Sequence, residues 1–289
     1  MLKYGYLRPT TIDEVCKMKA QHLTKAKLIA GGTDLMIQIR DKSKKLQSME
    51  YVIDLSHIKG LDTISNDGEY VKIGAMVTHS SLATSEIIES QAPFLREAAL
   101  TVGSPQIRNR GTIGGCICNA SPAADPVPPL VALNAEVVVE SIRGRSVIPL
   151  TSIYEMADVT NLEEDEIIVE IRFRVLPKNT KTSFVKLGRR KALAISRINI
   201  ASAIALNEDG RITFARIAPG CIFGIPDRVV EAENVLLGNK PDETLICLAA
   251  SKVSEEMIKR TGIRWSTEFK KPAVEALTRR AIRQALEVK

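Results

Sequence analysis

The sequence has no run of about 18 uncharged apolar residues, the length a membrane-spanning helix needs, and its opening stretch MLKYGYLRPTTIDE lacks the apolar core of a signal peptide. A cytoplasmic protein without a membrane span is the expectation. Cysteine is scarce: Cys16, Cys116, Cys118, Cys221 and Cys247 are odd in number and scattered, which excludes a disulfide framework and implies reduced thiols. Only Cys116 and Cys118 lie close together, and a CxC pair falls short of the four ligands that iron–sulfur and zinc sites commonly use. Long basic runs and interleaved aromatics are also missing. The excess of 40 Lys and Arg over 34 Asp and Glu, a net +6, therefore describes a solvated surface with a basic patch for a nucleotide or a partner, and nucleic-acid binding is not indicated. Neither GxGxxG nor GxxxxGK[ST] occurs, which removes the Rossmann dinucleotide fold and the phosphate loop. Histidine is limited to His22, His57 and His79, too few to supply an evident general acid–base set. His79 in VTHSS could lie near a ligand, but a lone histidine more commonly satisfies a local hydrogen bond.

What is present is an apolar content of 45% in 289 residues, enough for two or three packed units. The opening reads strand, helix, strand: residues 4–7, a helix entered through a Thr11/Glu14 capping box, then 27–30 running into two glycines. Residues 51–55 read as a buried strand, and 61–64 pair with 70–74 across Asn66, Asp67 and Gly68. Helical spacing follows over 78–102, interrupted at Pro93. From 103 to 129 the chain is rich in Gly, Pro, Asn and Ser, longer than the 12 to 15 residues expected of an idle loop, so a ligand is expected there. Strands are predicted at 135–140 and 166–175, with a turn near Gly144. After a boundary at Pro177, Lys178 and Asn179 come strands at 183–187, 198–206 and 212–217, then helices at 226–237, 244–260 and 272–287, a sheet with helices on one face. No internal repeat is visible. The fold class is α+β.

Two glycine clusters carry the chemistry. The strand 28–30 ends at Gly31 and Gly32, followed by Thr33 and Asp34. Paired glycines allow a sharp turn with outward amides and close approach of a pyrophosphate, and Thr33 adds a hydroxyl. Alone, such a turn is more often only a turn. The second cluster, Gly111 to Gly115, lies in the long loop, so two distant amide-rich loops could embrace one diphosphate. Asp125 in SPAAD could accept hydrogen bonds from a ribose or ribityl hydroxyl, or serve as a solvated helix cap ahead of Pro126, Pro128 and Pro129.

The segment TVGSPQIRNRGTIGGCICNASPAADPVPPL, residues 101–130, closely resembles the flavin-binding segment of the FAD (medium) subunits of molybdenum hydroxylases, the family of xanthine, carbon monoxide and nicotinate dehydrogenase flavoproteins. AGGTDL at 30–35 resembles their first FAD loop, and KLGRRKALAIS at 186–196 is a third match. The resemblance implies a vanillyl-alcohol-oxidase-type FAD-binding domain over 1–176, with subdomains of about 1–56 and 57–176, and a smaller α+β C-terminal domain of the carbon monoxide dehydrogenase flavoprotein type over 177–289. By carry-over, Leu28, Ile29, Ala30, Gly31, Gly32, Thr33, Asp34 and Leu35 wrap the diphosphate of a non-covalent FAD. Thr112, Ile113, Gly114, Gly115 and Cys116 form the second loop, and Asp125 makes a polar contact. Ile168 lines the flavin, and Lys186 places a cation near the reduced ring. Cys116 stands where relatives commonly have Asn, a weaker hydrogen-bonding group.

The family role is electron transfer, from a two-cluster iron–sulfur subunit to FAD and on to NAD or another acceptor, while a molybdenum-cofactor subunit oxidises the substrate; three subunits in two copies each form a heterohexamer. The chain is thus expected to supply no catalytic acid or base, no metal ligand and no iron–sulfur cluster of its own, and the substrate is chosen elsewhere. The alternatives are a self-contained flavin oxidoreductase and a non-catalytic scaffold subunit. RWSTEFKKPAVEALTRRA, residues 264–281, resembles a family segment before the last helix; Trp265 and Phe269 could pack on the flavin domain or a partner, but aromatics ahead of an amphipathic helix are more often core, which is the expectation.

Overall fold

The computed structural model describes residues 4–190 and 192–287; Lys191 of the third matching segment and the first three residues of the opening stretch lie outside them. The chain begins with β1 (Gly5–Leu7), α1 (Ile12–His22), β2 (Ala26–Ile29), α2 (Leu35–Arg40) and β3 (Tyr51–Asp54), and the three strands form a parallel sheet in the order β1-β3-β2. Parallel pairing puts the carboxyl ends of all three strands on one rim, and β2 delivers Gly31 there. The capping box forms with a shift. Thr11 Oγ1 accepts from Glu14 N at 3.2 Å, while the Glu14 carboxylate reaches back to Thr10 N at 2.6 Å, which lowers its pKa.

Next come β4 (Ile64–Asn66), β5 (Tyr70–Gly74), α3 (His79–Thr84), α4 (Glu86–Gln91), α5 (Pro93–Leu100), α6 (Pro105–Arg108), α7 (Ile113–Cys118), α8 (Val127–Ala132), β6 (Glu136–Ser141), β7 (Gly144–Pro149), the short pair β8 (Tyr154–Met156) and β9 (Val159–Thr160), and β10 (Ile167–Arg174). The main sheet of this part is antiparallel, ordered β4-β5-β10-β6-β7. The hairpin at Asn66–Gly68 is present, but its first strand is 64–66, not 61–64. Asn66 Oδ1 caps Gly68 N, and Asp67 Oδ1 caps Glu69 N and Tyr70 N, so the turn chemistry sets the register. The predicted long helical stretch is three short helices, because Ser85 caps α4 as well as Pro93 starting α5. The glycine-rich stretch is not irregular either; it holds α6, α7 and α8. β7 was not expected, since its outward residues are polar and mostly exposed.

Both faces of the antiparallel sheet are covered. Val138, Ile167 and Val169 pack with Val15, Cys16 and Ile53, whereas Val137, Val139, Ile168, Ile171 and Phe173 join Phe94, Leu95, Ile113, Ile117 and Leu130. A register shift between Ile168 and Glu170 decides which side Ile168 takes. In an unbroken strand Ile168 would oppose Ile171 and Phe173; the bulge turns it to their side.

The last unit is β11 (Lys181–Gly188), β12 (Ser196–Leu206), β13 (Ile212–Gly220), α9 (Val230–Leu236), α10 (Glu243–Thr261) and α11 (Thr267–Leu286), with sheet order β11-β12-β13. Val185, Ile198, Ile200 and Ile204 pack under the helices, while Phe184, Ala201, Ala203 and Ala218 belong to the core of the first part. A sheet covered on both faces explains why β12 is almost continuously buried. Helix α11 starts five residues before the proline expected to open it, with Pro272 inside its early turns. The core expectation for the aromatics fails: Trp265 is 92% exposed and Phe269 50%. Trp265 lies in the turn before α11 and Phe269 in its first turn, where Arg197 of β12 sits over the Phe269 ring. No helix among the described residues is long and apolar enough to cross a membrane.

Candidate functional site

Folding brings the two glycine loops into contact. A β-carbon at Gly31 would fall 1.8 Å from the carbonyl oxygen of Arg110, so only glycine permits this approach. Two further links join the loops. A β-carbon at Gly115 would reach 4.0 Å from that of Ala30, and Asn119 Nδ2 donates to Asp34 Oδ1 at 3.5 Å.

The loops divide the work unequally. In the second loop Ile113 N donates to Val77 O, Gly114 N to Ala75 O, Gly115 N to Thr112 Oγ1 and Cys116 N to Thr112 O, at 2.9 to 3.2 Å. These amides bind the loop to the end of β5 and to itself; Gly114 sits so near Ala75 that a β-carbon would come to 2.7 Å. In the first loop, by contrast, the amides of Gly31, Gly32, Thr33 and Asp34 donate to no acceptor among the described residues. Of the two loops expected to embrace one diphosphate, the first has four unengaged amides, while those of Ile113 to Cys116 in the second are engaged within the fold. Four outward amides at the rim of a parallel sheet, beside a glycine pair, suit a diphosphate.

The remaining predicted residues fall into two groups. The side chains of Leu28 and Ala30 pack with the core around α1, Ile29 and Leu35 pack with that beneath α2, and Ile113 is fully buried. Thr112 is buried as the N-cap of α7, and burial pushes the Cys116 thiol up to about 12, with the Asp125 and Asp34 carboxylates adding to the effect. That thiol is a poor nucleophile. Ile168, 6% exposed, packs in the core that also holds the α7 residues Ile113 and Ile117.

Asp125 is not a solvated cap. It is 5% exposed, and its carboxylate meets Lys186 Nζ at 2.5 Å, Ser196 Oγ at 2.5 Å and Asn199 Nδ2 at 2.9 Å, all from the C-terminal unit. Thr101 Oγ1 lies 3.1 Å from Asp125 Oδ2 and 2.8 Å from Ala98 O, so its single proton serves one of them at a time. Lys186 Nζ also donates to Thr101 O at 3.1 Å. The two predicted polar residues thus form one buried ion pair, and Ser196, Asn199 and Thr101 complete it. Sequence reading singled out none of those three for this role, although Ser196 closes the third matching segment.

His79 was expected to have a local partner. Its backbone does, donating to Gly111 O at 3.0 Å, but the ring Nδ1 is sealed from solvent with no hydrogen-bond partner. Burial lowers its pKa to about 4. A β-carbon at Gly111 would fall 3.1 Å from His79 Cδ2, so a largely neutral imidazole packs against that glycine. Among the described residues, no group of three His, Cys, Asp or Glu side chains is placed to hold a metal.

The family is decided by comparison over the whole length. A model described as the FAD binding domain in molybdopterin dehydrogenase matches residues 2–175, and one described as the CO dehydrogenase flavoprotein C-terminal domain matches residues 183–285. The chain belongs to the FAD-binding subunits of the molybdenum hydroxylase family. It is 36% identical over 242 residues to the nicotinate dehydrogenase FAD-subunit of Eubacterium barkeri, covering 82% of this chain and 81% of the relative. It is 31% identical to the nicotine 6-hydroxylase medium subunit of Paenarthrobacter nicotinovorans, over 97% and 96% of the two chains. Among solved structures, carbon monoxide dehydrogenase from Hydrogenophaga pseudoflava superposes with a TM-score of 0.90 at 28% identity, covering 99% of this chain and 98% of that one. The FAD-binding subunit is therefore one part of an oxidoreductase, and its two-domain α+β fold is that of the carbon monoxide dehydrogenase flavoprotein.

Proposed function

We propose that this FAD-binding subunit holds a non-covalent FAD on the first glycine loop and relays electrons from an iron–sulfur subunit to NAD or another acceptor, within a complex whose molybdenum subunit oxidises the substrate. The observation that carries the reading is the row of unengaged amides from Gly31 to Asp34, braced by a second loop whose own amides are spent on the fold. When bound, a flavin accepts one or two electrons and can release them as a hydride, which suits a junction between one-electron and two-electron carriers. The chain's residues bind, orient and enclose. Gly31, Gly32, Thr33 and Asp34 offer amides to the diphosphate; Thr112 to Cys116 fix that loop; Ile168 supplies an apolar wall; and Lys186, anchored by Asp125, gives a positive group at the junction with the C-terminal unit. None of the three histidines lies in either glycine loop, which favours a relay over a self-contained oxidoreductase. We place the boundary between the FAD-binding and C-terminal domains near 176–177 and that of the subdomains near 56–57, on the composition of the linking segments. A heterohexamer with molybdenum and iron–sulfur partners and a cytoplasmic site are part of the same reading, supported by relatives named as subunits and by five free thiols.

The test is to purify the chain with its neighbouring subunits and record visible spectra before and after reduction by candidate substrates. Released FAD near one equivalent, with iron and molybdenum in the complex and reoxidation by NAD, is the expected result. Absence of flavin, even after adding FAD to the intact complex, would leave the scaffold reading standing.

A further inference from the structure

The turn between α10 and α11 carries Ile263 at 86% exposure and the chain's single tryptophan, Trp265, at 92%. Exposing an indole ring this fully forfeits burial that its large apolar surface would otherwise gain. The surroundings are cationic. The Arg197 guanidinium lies 5.3 Å from the centre of the Phe269 ring. Lys270 donates to Cys221 O at 2.9 Å, and its pKa is lowered by burial, then by the nearby charges of Arg264 and Arg197. No carboxylate among the described residues lies within ion-pair distance of Arg197, Arg264, Lys270 or Lys271, although the exposed Glu268 shares the segment. By comparison, Arg260 in the same region is satisfied by Glu256 and Asp227.

We propose that Ile263 and Trp265, on a segment that also carries Arg264, Lys270 and Lys271 and has Arg197 over its Phe269 ring, form the docking face for a separate protein subunit that presents an apolar pocket rimmed by carboxylates. A second copy of this chain is disfavoured by charge: a two-fold contact would set these cations against their own counterparts. An apolar anchor within a ring of opposite charge is the arrangement in which an indole contributes most to binding. The location also suits the relay, because Arg197 follows Ser196, which bonds Asp125. A partner seated here lies at the edge of the unit that closes the cofactor site. This surface rests on the multi-subunit reading above and adds the face by which one subunit is held.

The complex, purified from its source cells, and the isolated chain are compared by hydroxyl-radical footprinting read at Trp265. Strong protection in the complex is expected. Trp265→Ser, a change at a solvated position, should weaken assembly by roughly tenfold or more, the range of an interface anchor, with flavin content unchanged. Arg264→Glu combined with Lys271→Glu should weaken it further at low salt than at high salt. Equal labelling of Trp265 in both states overturns the docking face while leaving the complex intact. A native chain that runs alone overturns the multi-subunit reading as well. Trp265-dependent binding to vesicles containing phosphatidylserine, with no protection in the complex, would reassign the turn to a membrane surface.

Discussion

Lys186 Nζ stands 2.5 Å from Asp125 Oδ2, with both side chains largely withdrawn from solvent and the two residues drawn from different domains. The pair ties the last turn before α8 to the first strand of the C-terminal sheet. Ser196 and Asn199 hold the other carboxylate oxygen, so the ion pair is also the centre of the interdomain hydrogen bonding.

Removing one partner leaves a buried charge without compensation. Asp125→Asn or Lys186→Met alone should each cost about 3 kcal/mol of unfolding free energy, and the double variant Asp125→Asn, Lys186→Met should cost clearly less than their sum. Urea unfolding of the four proteins measures the coupling. Strict additivity would mean that the two side chains act independently.

Gly31→Ala should abolish cofactor retention before it abolishes folding. The added methyl meets the Arg110 carbonyl, forcing the first loop away from the second, whereas the C-terminal core does not involve this loop. FAD released per chain is expected to fall by at least roughly tenfold, the equivalent of 1.4 kcal/mol or more in binding, with far-ultraviolet dichroism close to that of the parent.

His79 gives a pH dependence with a definite sign. Its pKa drops from 6.5 to about 4 on folding, so the unfolded chain binds the proton more tightly. The contribution is fully present above pH 6.5 and is lost as pH falls towards 4, amounting to roughly 3 kcal/mol across that window. His79→Asn cannot charge. The difference between the two proteins' stability profiles should therefore narrow as the pH drops through that range. Parallel profiles would show that the imidazole is not sealed.

The thiols should separate by burial. Burial raises Cys116 to about 12 and Cys16 to about 11, while Cys247 is exposed. Iodoacetamide at pH 8 followed by peptide mass mapping should modify Cys247 first, the half-buried Cys116 with its raised pKa far more slowly, and Cys16 only in the denatured chain. Early modification of Cys116 would show that its segment opens in solution.

The sequence by itself determined what depends on neighbours along the chain. Thr11 and Glu14 cap α1, Asn66 and Asp67 shape their hairpin, and the glycine pair ends β2, because a cap, a turn or a left-handed residue is set within three or four positions. The matched segments also announced the family and its cofactor. Tertiary structure alone decided which amides of the glycine loops stay free, since Ile113 and Gly114 of the second loop donate to Val77 and Ala75, residues far earlier in the chain. It decided that Asp125 is enclosed by Lys186, Ser196 and Asn199, 61 to 74 residues away, and that a bulge turns Ile168 inward. It also left Trp265 uncovered, against expectation. Hydrophobicity states what a side chain would gain from burial, but whether anything lies opposite it depends on the packing of every other element.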